Sequence, residues 1–304
     1  MQSSHRKGII LAGGTGSRLF PLTKAISKQL MPIYDKPMIY YPLCTLMLAG
    51  IKDFLIITTS YQQESFKSLL KDGSQWGLNI QYKIQKSPDG IASAFLLAED
   101  FLEGSPSALI LGDNLFHGEN LIKNLKKADT STNSTVFAYA VSDPERYGVV
   151  DFSEDGKVIS IEEKPKVAKS KYAITGLYFY DETAVQKSKN LKPSSRGELE
   201  ITDLNKLYLS ENKLEVSLIG RGMTWLDTGT FDSMHQASSY IRTLEKRQGQ
   251  KVCAPEEIAW RLNLITDNEL EILGKSQEKS GYGLYLMKIL EDKYLYKNID
   301  SFIV

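Results

Sequence analysis

The residues of this 304-residue sequence best suited to chemistry are a glycine loop, a few cations and isolated carboxylates. Gly13-Gly14-Thr15-Gly16-Ser17-Arg18 follows the apolar run Ile9-Ile10-Leu11. After a strand, such a loop can turn its backbone N–H groups onto an anion, and glycines let the chain approach phosphate oxygens closely. Arg18 adds a fork of donors matched to phosphate, and Lys28 adds a second positive charge. The same glycines would also suit a plain tight turn between strand and helix. Two familiar phosphate motifs fail. A P-loop ends in Gly-Lys-Ser/Thr, and here Ser17-Arg18-Leu19 stands; a dinucleotide fingerprint needs glycine at Leu19 and an acid where Thr58-Thr59-Ser60 ends the next strand.

Two carboxylates occupy positions that a sheet presents to a cleft. Asp113 follows the apolar run Ala108–Leu111, and Asp227 follows Trp225-Leu226. Both are oxygen ligands suited to Mg²⁺, which takes one or two carboxylates together with water and phosphate. Asp113 could instead cap its own turn. Of the three histidines, His5, His117 and His235, none lies in a general-base motif, and no Gly-x-Ser-x-Gly is present.

The elements that must hold these residues follow from hydrophobic patterning. Strands are expected near Lys7–Leu11, Asp53–Thr58, Ile80–Gln85 and Ala108–Leu111, with helices over Pro37–Ala49, Tyr61–Lys71 and Ile91–Leu102. That alternation implies βαβ units and a mainly parallel sheet. Beyond residue 134 the rhythm turns to strands, Thr135–Val141, Tyr147–Phe152, Val158–Glu162 and Ile174–Tyr180, with a hairpin turn at Glu154-Asp155-Gly156-Lys157. Helices over Glu198–Ser210 and Phe231–Arg247 flank a strand at Leu214–Ile219, and the tail from Gly249 reads as helical, with a helix start at Pro255-Glu256-Glu257. The expected fold class is α/β: a Rossmann-like, mostly parallel mixed sheet between helices, with inserted antiparallel strands, forming one domain over 1–248 and a helical C-terminal appendage over 249–304 packing on the core.

Composition narrows the function. Lys+Arg and Asp+Glu are equal at 37 each, with 42% hydrophobic and 24% charged residues, so neither nucleic acid nor an anionic membrane is an expected partner. No apolar run is long enough for a bilayer, and the first seven residues are too brief for a signal-peptide core. Cys44 and Cys253 make no disulfide framework or C-x-x-C, which suits free thiols in a cytoplasmic protein.

The ordered motifs carry a resemblance. Leu11-Ala12-Gly13-Gly14-Thr15-Gly16-Ser17-Arg18-Leu19 with Pro21, Thr23, Lys28 and Pro32 resembles the signature of the sugar-1-phosphate nucleotidylyltransferases. Tyr34-Asp35-Lys36-Pro37, Ser87-Pro88-Asp89-Gly90, Leu111-Gly112-Asp113-Asn114, Tyr147-Gly148-Val149-Val150, Glu162-Glu163-Lys164-Pro165, Ile174-Thr175-Gly176 and Trp225-Leu226-Asp227-Thr228-Gly229 follow in the same order, similar to the glucose-1-phosphate thymidylyltransferases. The resemblance covers about Lys7 to Arg261.

It implies that a glucose 1-phosphate oxygen attacks the α-phosphorus of dTTP, giving dTDP-glucose, a first step toward dTDP-L-rhamnose and related deoxysugars. Such attack requires positioning and positive charge rather than a protein nucleophile. By the resemblance, Arg18 faces the pyrophosphate, Lys28 the α-phosphate and Lys164 the sugar phosphate, while Asp113 and Asp227 hold Mg²⁺. Gln85 and Gly90 contact the pyrimidine, with Gln29 at the same end. Tyr147, Gly148, Glu163, Ile174, Glu198 and Trp225 surround the sugar. The resemblance further implies a homotetramer, with a subunit contact through 249–304 and an inhibitory second nucleotide site at a subunit contact, for which the candidates are His117, Gly118, Glu119, Asn120, Gly220, Arg221, Glu256 and Arg261. Two departures stand out: Ser93 replaces a common Gln, and His117-Gly118-Glu119-Asn120 replaces Tyr-Gly-His-Asp. A UTP-dependent or other nucleotidylyltransferase is an alternative. An inactive regulatory subunit would have shed the five charged residues Arg18, Lys28, Asp113, Lys164 and Asp227, and all five are present.

Overall fold

A computed structural model describes residues 5–296. Its strands are β1 (Lys7–Ala12), β2 (Pro32–Ile33), β3 (Lys36–Pro37), β4 (Asp53–Thr58), β5 (Asn79–Ile84), β6 (Ser107–Leu111), β7 (Asn114–Gly118), β8 (Ser134–Ala140), β9 (Gly148–Phe152), β10 (Val158–Glu163), β11 (Tyr172–Tyr180), β12 (Leu214–Ile219) and β13 (Met223–Asp227). The parallel run β6-β1-β4-β5 forms one side of a nine-stranded sheet. Antiparallel β11 joins β6 and carries β9 and β8 in turn, with β10 paired to β9 and β12 to β8. The antiparallel strands therefore extend the main sheet rather than forming a separate layer.

The sheet is covered on both faces, which is why its central strands read as unbroken apolar runs. Ile10, Phe54, Ile56, Ala108 and Ile110 pack into one core and Ile9, Leu55, Ile57 and Leu109 into the other, as the two-residue strand period demands. The first core also contains Ile258, Trp260, Leu270, Leu286 and Ile289. The C-terminal helices Pro255–Arg261, Asp267–Ser276 and Gly281–Glu291 thus share the core of the helix Tyr40–Leu48 instead of building their own.

Several expected boundaries move. The helix expected from Pro37 runs Tyr40–Leu48, because Lys36–Pro37 pairs with Pro32–Ile33 as a short ribbon. Pro42 falls in the first turn, where its missing N–H costs nothing. Ile91–Leu102 divides into Ser93–Leu97 and Glu99–Leu102, and the helix expected from Glu198 begins at Ile201. The antiparallel ribbon β7–β13 lay outside the expected elements, and it is the one that matters most for the site.

Candidate active site

The chain runs from β1 to β4 and β5 on one side, then returns to β6 on the other side of β1. Where strand order reverses in this way, a crevice opens beyond the carboxyl ends of the strands. Leu11 and Leu111 lie side by side at those ends, and the Gly112 N–H donates to the Leu11 carbonyl at 2.9 Å. The glycine loop leaving β1 and Asp113 leaving β6 consequently border one crevice. Two chambers occupy it, of about 660 and 260 Å³, and they share Ile91, Leu111, Asp113, Glu163, Lys164 and Arg196 as common walls.

At the junction, Lys28 Nζ pairs with Asp113 Oδ2, and Asn114 Nδ2 donates to Asp113 Oδ1 at 3.0 Å. Burial pushes the Asp113 carboxyl up, but Lys28 and Asn114 outweigh it and hold it below the ordinary carboxylate range. The ribbon brings in the second carboxylate, because its register sets Asp227 opposite Asn114. Thr228 then locks the crossing, its hydroxyl and its N–H both donating to the Asp113 carbonyl at 2.8 and 3.1 Å. Burial raises the Asp227 carboxyl; Arg146, 3.4 Å away, opposes this, and the negative charge of Asp113 adds to it. Two acidic groups thus face one chamber with incomplete neutralisation. No group of three or more acidic, histidine or cysteine side chains is placed to hold a metal ion among the described residues. That donor set does not make an all-protein cage, and it fits a hard divalent cation that completes its shell with water and phosphate oxygens.

The larger chamber is walled by charged and polar side chains together with the Tyr147 and Trp225 rings. Glu163 accepts from the Thr202 hydroxyl at 2.5 Å and lies 3.6 Å from Lys164 Nζ. A Cβ at Gly148 would stand 3.1 Å from the Thr202 hydroxyl and 3.4 Å from the Glu163 carboxylate, so only glycine leaves this approach to the backbone uncrowded. Lys164 itself has φ of 43°, a strained left-handed conformation held by its N–H donating to the Tyr147 carbonyl at 3.0 Å. Trp225 donates its indole N–H to Asn114 at 2.6 Å and meets the Tyr147 ring edge-on at 5.2 Å. Burial, and then the charge of Asp227, pushes the Tyr147 phenol up, so it remains a neutral wall.

The smaller chamber joins Gly13, Gly14, Lys28, Gln29, Gln85 and Gly90. Gly90 has φ of 94°, and a Cβ there would come within 2.4 Å of the Leu199 carbonyl. The Asp89 carbonyl accepts from the Leu199 N–H at 2.7 Å, pinning this loop to the segment before the helix Ile201–Ser210. The buried Gln29 carboxamide accepts from Ser27 at 2.7 Å and reaches toward the Gly13 carbonyl at 3.5 Å.

Residues 7–243 match the family model described as nucleotidyl transferase. The glucose-1-phosphate thymidylyltransferase of Xanthomonas campestris pv. campestris is 57% identical over 93% of this chain and 96% of its own length. The chain belongs to the glucose-1-phosphate thymidylyltransferase branch of the nucleotidyl transferase family. The thymidylyltransferase of Neisseria meningitidis is 53% identical over 94% of this chain and 99% of its own. A solved Bacillus anthracis structure titled as a glucose-1-phosphate thymidylyltransferase superposes with a TM-score of 0.72 at 41% identity, covering 78% of this chain and 95% of that one. A UDP-glucose pyrophosphorylase, at 24% identity and a TM-score of 0.70 over 79% of this chain and 99% of its own, shares the fold.

Against this thymidylyltransferase frame, the structure brings most of the expected residues together. Arg18, Tyr147, Gly148, Ile174, Trp225 and Asp227 line the larger chamber, and Glu198 joins the smaller. Thr15 and Gly16 line neither; Thr23 donates to the Gly16 carbonyl at 2.8 Å and shapes the loop from behind. Three contributors escaped sequence reasoning. Asn114 bonds Asp113, Trp225 and the Gly176 N–H; Arg146 approaches Asp227; and Arg196 lies 2.8 Å from Glu200 and 3.5 Å from both Glu163 and Glu198. Arg146 immediately precedes Tyr147-Gly148, and Arg196 sits in the polar segment Ser194-Ser195-Arg196-Gly197; an arginine in a loop beside a binding motif was the available signal.

The second-site candidates divide. His117 and Gly118 line a small cavity with Gln250, Val252 and Cys253, while Glu119, Asn120, Gly220 and Arg221 are exposed near the end of the ribbon. Arg261 and Glu256 are turned inward. Arg261 bonds the buried Glu257 at 2.7 Å, and Glu256 accepts from Tyr282 at 2.6 Å.

Proposed function

We propose that the chain transfers a thymidylyl group from dTTP to glucose 1-phosphate, releasing pyrophosphate and giving dTDP-glucose. The observation that carries this reading is the pair of chambers meeting at Asp113, Lys164 and Arg196, where cations and carboxylates face one another and no nucleophile is needed. The smaller chamber takes the base, with Gln85 and the Gly90 backbone at its pyrimidine edge. The larger takes the sugar, with Glu163 directed at hydroxyls and Lys164 and Arg196 at its phosphate. Lys28 faces the α-phosphate and Arg18 the leaving pyrophosphate, so positive charge lines the path of charge movement.

Asp113 and Asp227 would hold the divalent cation, Mg²⁺ in our reading. When bound, it would neutralise phosphate charge and align the two substrates. Asn114 and Thr228 fix the backbone and side chain of Asp113, and the register of the ribbon fixes Asp227. Before substrates arrive, Lys28 and Arg146 partly neutralise the two carboxylates.

The helical C-terminal segment is proposed as a subunit contact in a homotetramer, with His117, Gly118 and Arg221 near an inhibitory nucleotide site. Among the described residues no helix is long and apolar enough to cross a membrane. The deciding assay is pyrophosphate release from glucose 1-phosphate with each of dTTP, UTP, CTP and ATP. The reading requires release with dTTP at the highest kcat/KM, and release with ATP alone would refute it.

A further inference from the structure

Ser93 begins the short helix Ser93–Leu97 beneath the smaller chamber and is 5% exposed. Its hydroxyl lies 2.6 Å from the Gly90 carbonyl and 3.2 Å from Gln85 Nε2. A carbonyl oxygen can only accept, so the single Ser93 proton is committed to Gly90. Toward Gln85 the hydroxyl then has only lone pairs to offer, and the group facing it must be the amide NH₂. Gln85 Oε1 lies 2.4 Å from the place a Cβ would take on residue 13, filling the space left by Gly13. The order of oxygen and nitrogen at the end of β5 is therefore set by a chain of three residues, Gly90, Ser93 and Gln85.

We propose that Ser93 is a positioning residue for base selection: by fixing which way round the Gln85 carboxamide stands, it makes the chamber accept pyrimidines with a keto group at ring position 4 and reject those with an amino group there. The inference rests on the reading of Gln85 as a base contact. Thymine and uracil present an N3–H donor beside an O4 acceptor. Cytosine presents the reverse, an N3 acceptor beside an amino donor. For a base held in one pose by its sugar and phosphates, one carboxamide orientation satisfies the first edge and the flipped orientation the second. A carboxamide free to rotate by half a turn serves both. A locked one leaves the wrong base facing donor to donor and acceptor to acceptor, the kind of mismatch that gives strong discrimination in a buried site. Ser93 stands where the resembled pattern commonly has Gln, so this chain reaches the lock by its own residue.

The test compares kcat/KM for dTTP, UTP and dCTP in the unaltered protein and in Ser93→Ala, Ser93→Thr and Gln85→Ala. Ser93→Ala should lower the preference for dTTP over dCTP by about tenfold while leaving the dTTP-to-UTP ratio and the KM for glucose 1-phosphate unchanged. Ser93→Thr, which keeps the hydroxyl, should retain the preference. Thermal midpoints matching the unaltered protein separate selection from misfolding. If Gln85→Ala raises the KM for dTTP but Ser93→Ala leaves the dTTP-to-dCTP ratio within twofold of the unaltered protein, the positioning role is wrong and the base contact stands. If Gln85→Ala leaves the KM for all three nucleotides unchanged, the base contact itself falls, and the proposal with it.

Discussion

Asn114 is the residue on which the two carboxylates of the site most depend, although it is neither a proposed ligand nor a proposed substrate contact. Its side-chain oxygen accepts from the Trp225 indole at 2.6 Å and from the Gly176 N–H at 3.1 Å, and its nitrogen donates to Asp113 at 3.0 Å. Replacing Asn114 by Ala orphans two donors at once. A buried donor left unpaired costs about 1–3 kcal/mol, giving an outer range of about 2–6 kcal/mol for the pair. Trp225 and Gly176 both border the larger chamber, so water can reach part of this space, and the lower end, about 2 kcal/mol, is the expected loss. For a protein of this size that corresponds to a thermal midpoint lower by about 3 °C. Asn114→Asp provides the control. It keeps an acceptor for both N–H groups and so retains most of the stability, but sets a third negative charge beside Asp113 and Asp227 and should depress turnover more than Asn114→Ala does. Thermal unfolding followed by circular dichroism, paired with pyrophosphate release, reads both quantities. An Asn114→Ala midpoint within 1 °C of the unaltered protein, or full turnover in Asn114→Asp, would refute the bridging role.

Three further outcomes follow from the same geometry. Asp113→Asn and Asp227→Asn should each reduce kcat by about 100-fold or more; near-normal turnover across a Mg²⁺ titration would remove them as ligands. Lys164→Ala should raise the KM for glucose 1-phosphate by about tenfold or more while that for dTTP changes little, since one charge-assisted contact is lost; steady-state kinetics varying each substrate in turn decides it. In the cluster of Asp35, Lys36, Glu245 and Lys251, burial pushes the Asp35 carboxyl up, but Lys36 and Lys251 outweigh it and hold it below the ordinary range. A depressed carboxylate stabilises the fold above its unfolded pKa, about 3.9, and that contribution disappears as pH falls through the lower folded value. Asp35→Asn should therefore be less stable than the unaltered protein at pH 7 and lose less stability between pH 5 and pH 3, as measured by urea midpoints; parallel pH curves for the two proteins would show that the cluster does not carry this linkage.

What the sequence revealed and what it concealed divide along the range of the interactions involved. β1, β4 and β6 were legible because strands buried on both faces need continuous apolar runs such as Ile9-Ile10-Leu11 and Phe54-Leu55-Ile56-Ile57, a requirement met within each segment alone. Asp113 was legible for the same reason, since the end of such a run marks the rim of a sheet. Asp227 was expected on similar grounds but sits elsewhere: it ends β13, a strand paired only with β7, outside the main sheet. Neither ribbon strand announces itself, because Asn114-Leu115-Phe116-His117-Gly118 and Met223-Thr224-Trp225-Leu226-Asp227 are defined as strands only by each other, across more than a hundred residues. Asn114, Arg146 and Arg196 remained hidden for a related reason. Each is a polar residue whose role depends on partners distant in sequence, such as Trp225 for Asn114 and Asp227 for Arg146, or on a loop that folds back onto the cleft, as with Arg196 and Glu163. Ser93 is the sharpest case. As a sequence departure it shows only a shorter polar side chain, whereas in three dimensions its proton goes to Gly90 and its lone pair to Gln85. A substitution judged by side-chain type alone registers only the missing group; the backbone carbonyl that Ser93 recruits becomes visible only once the loop is folded.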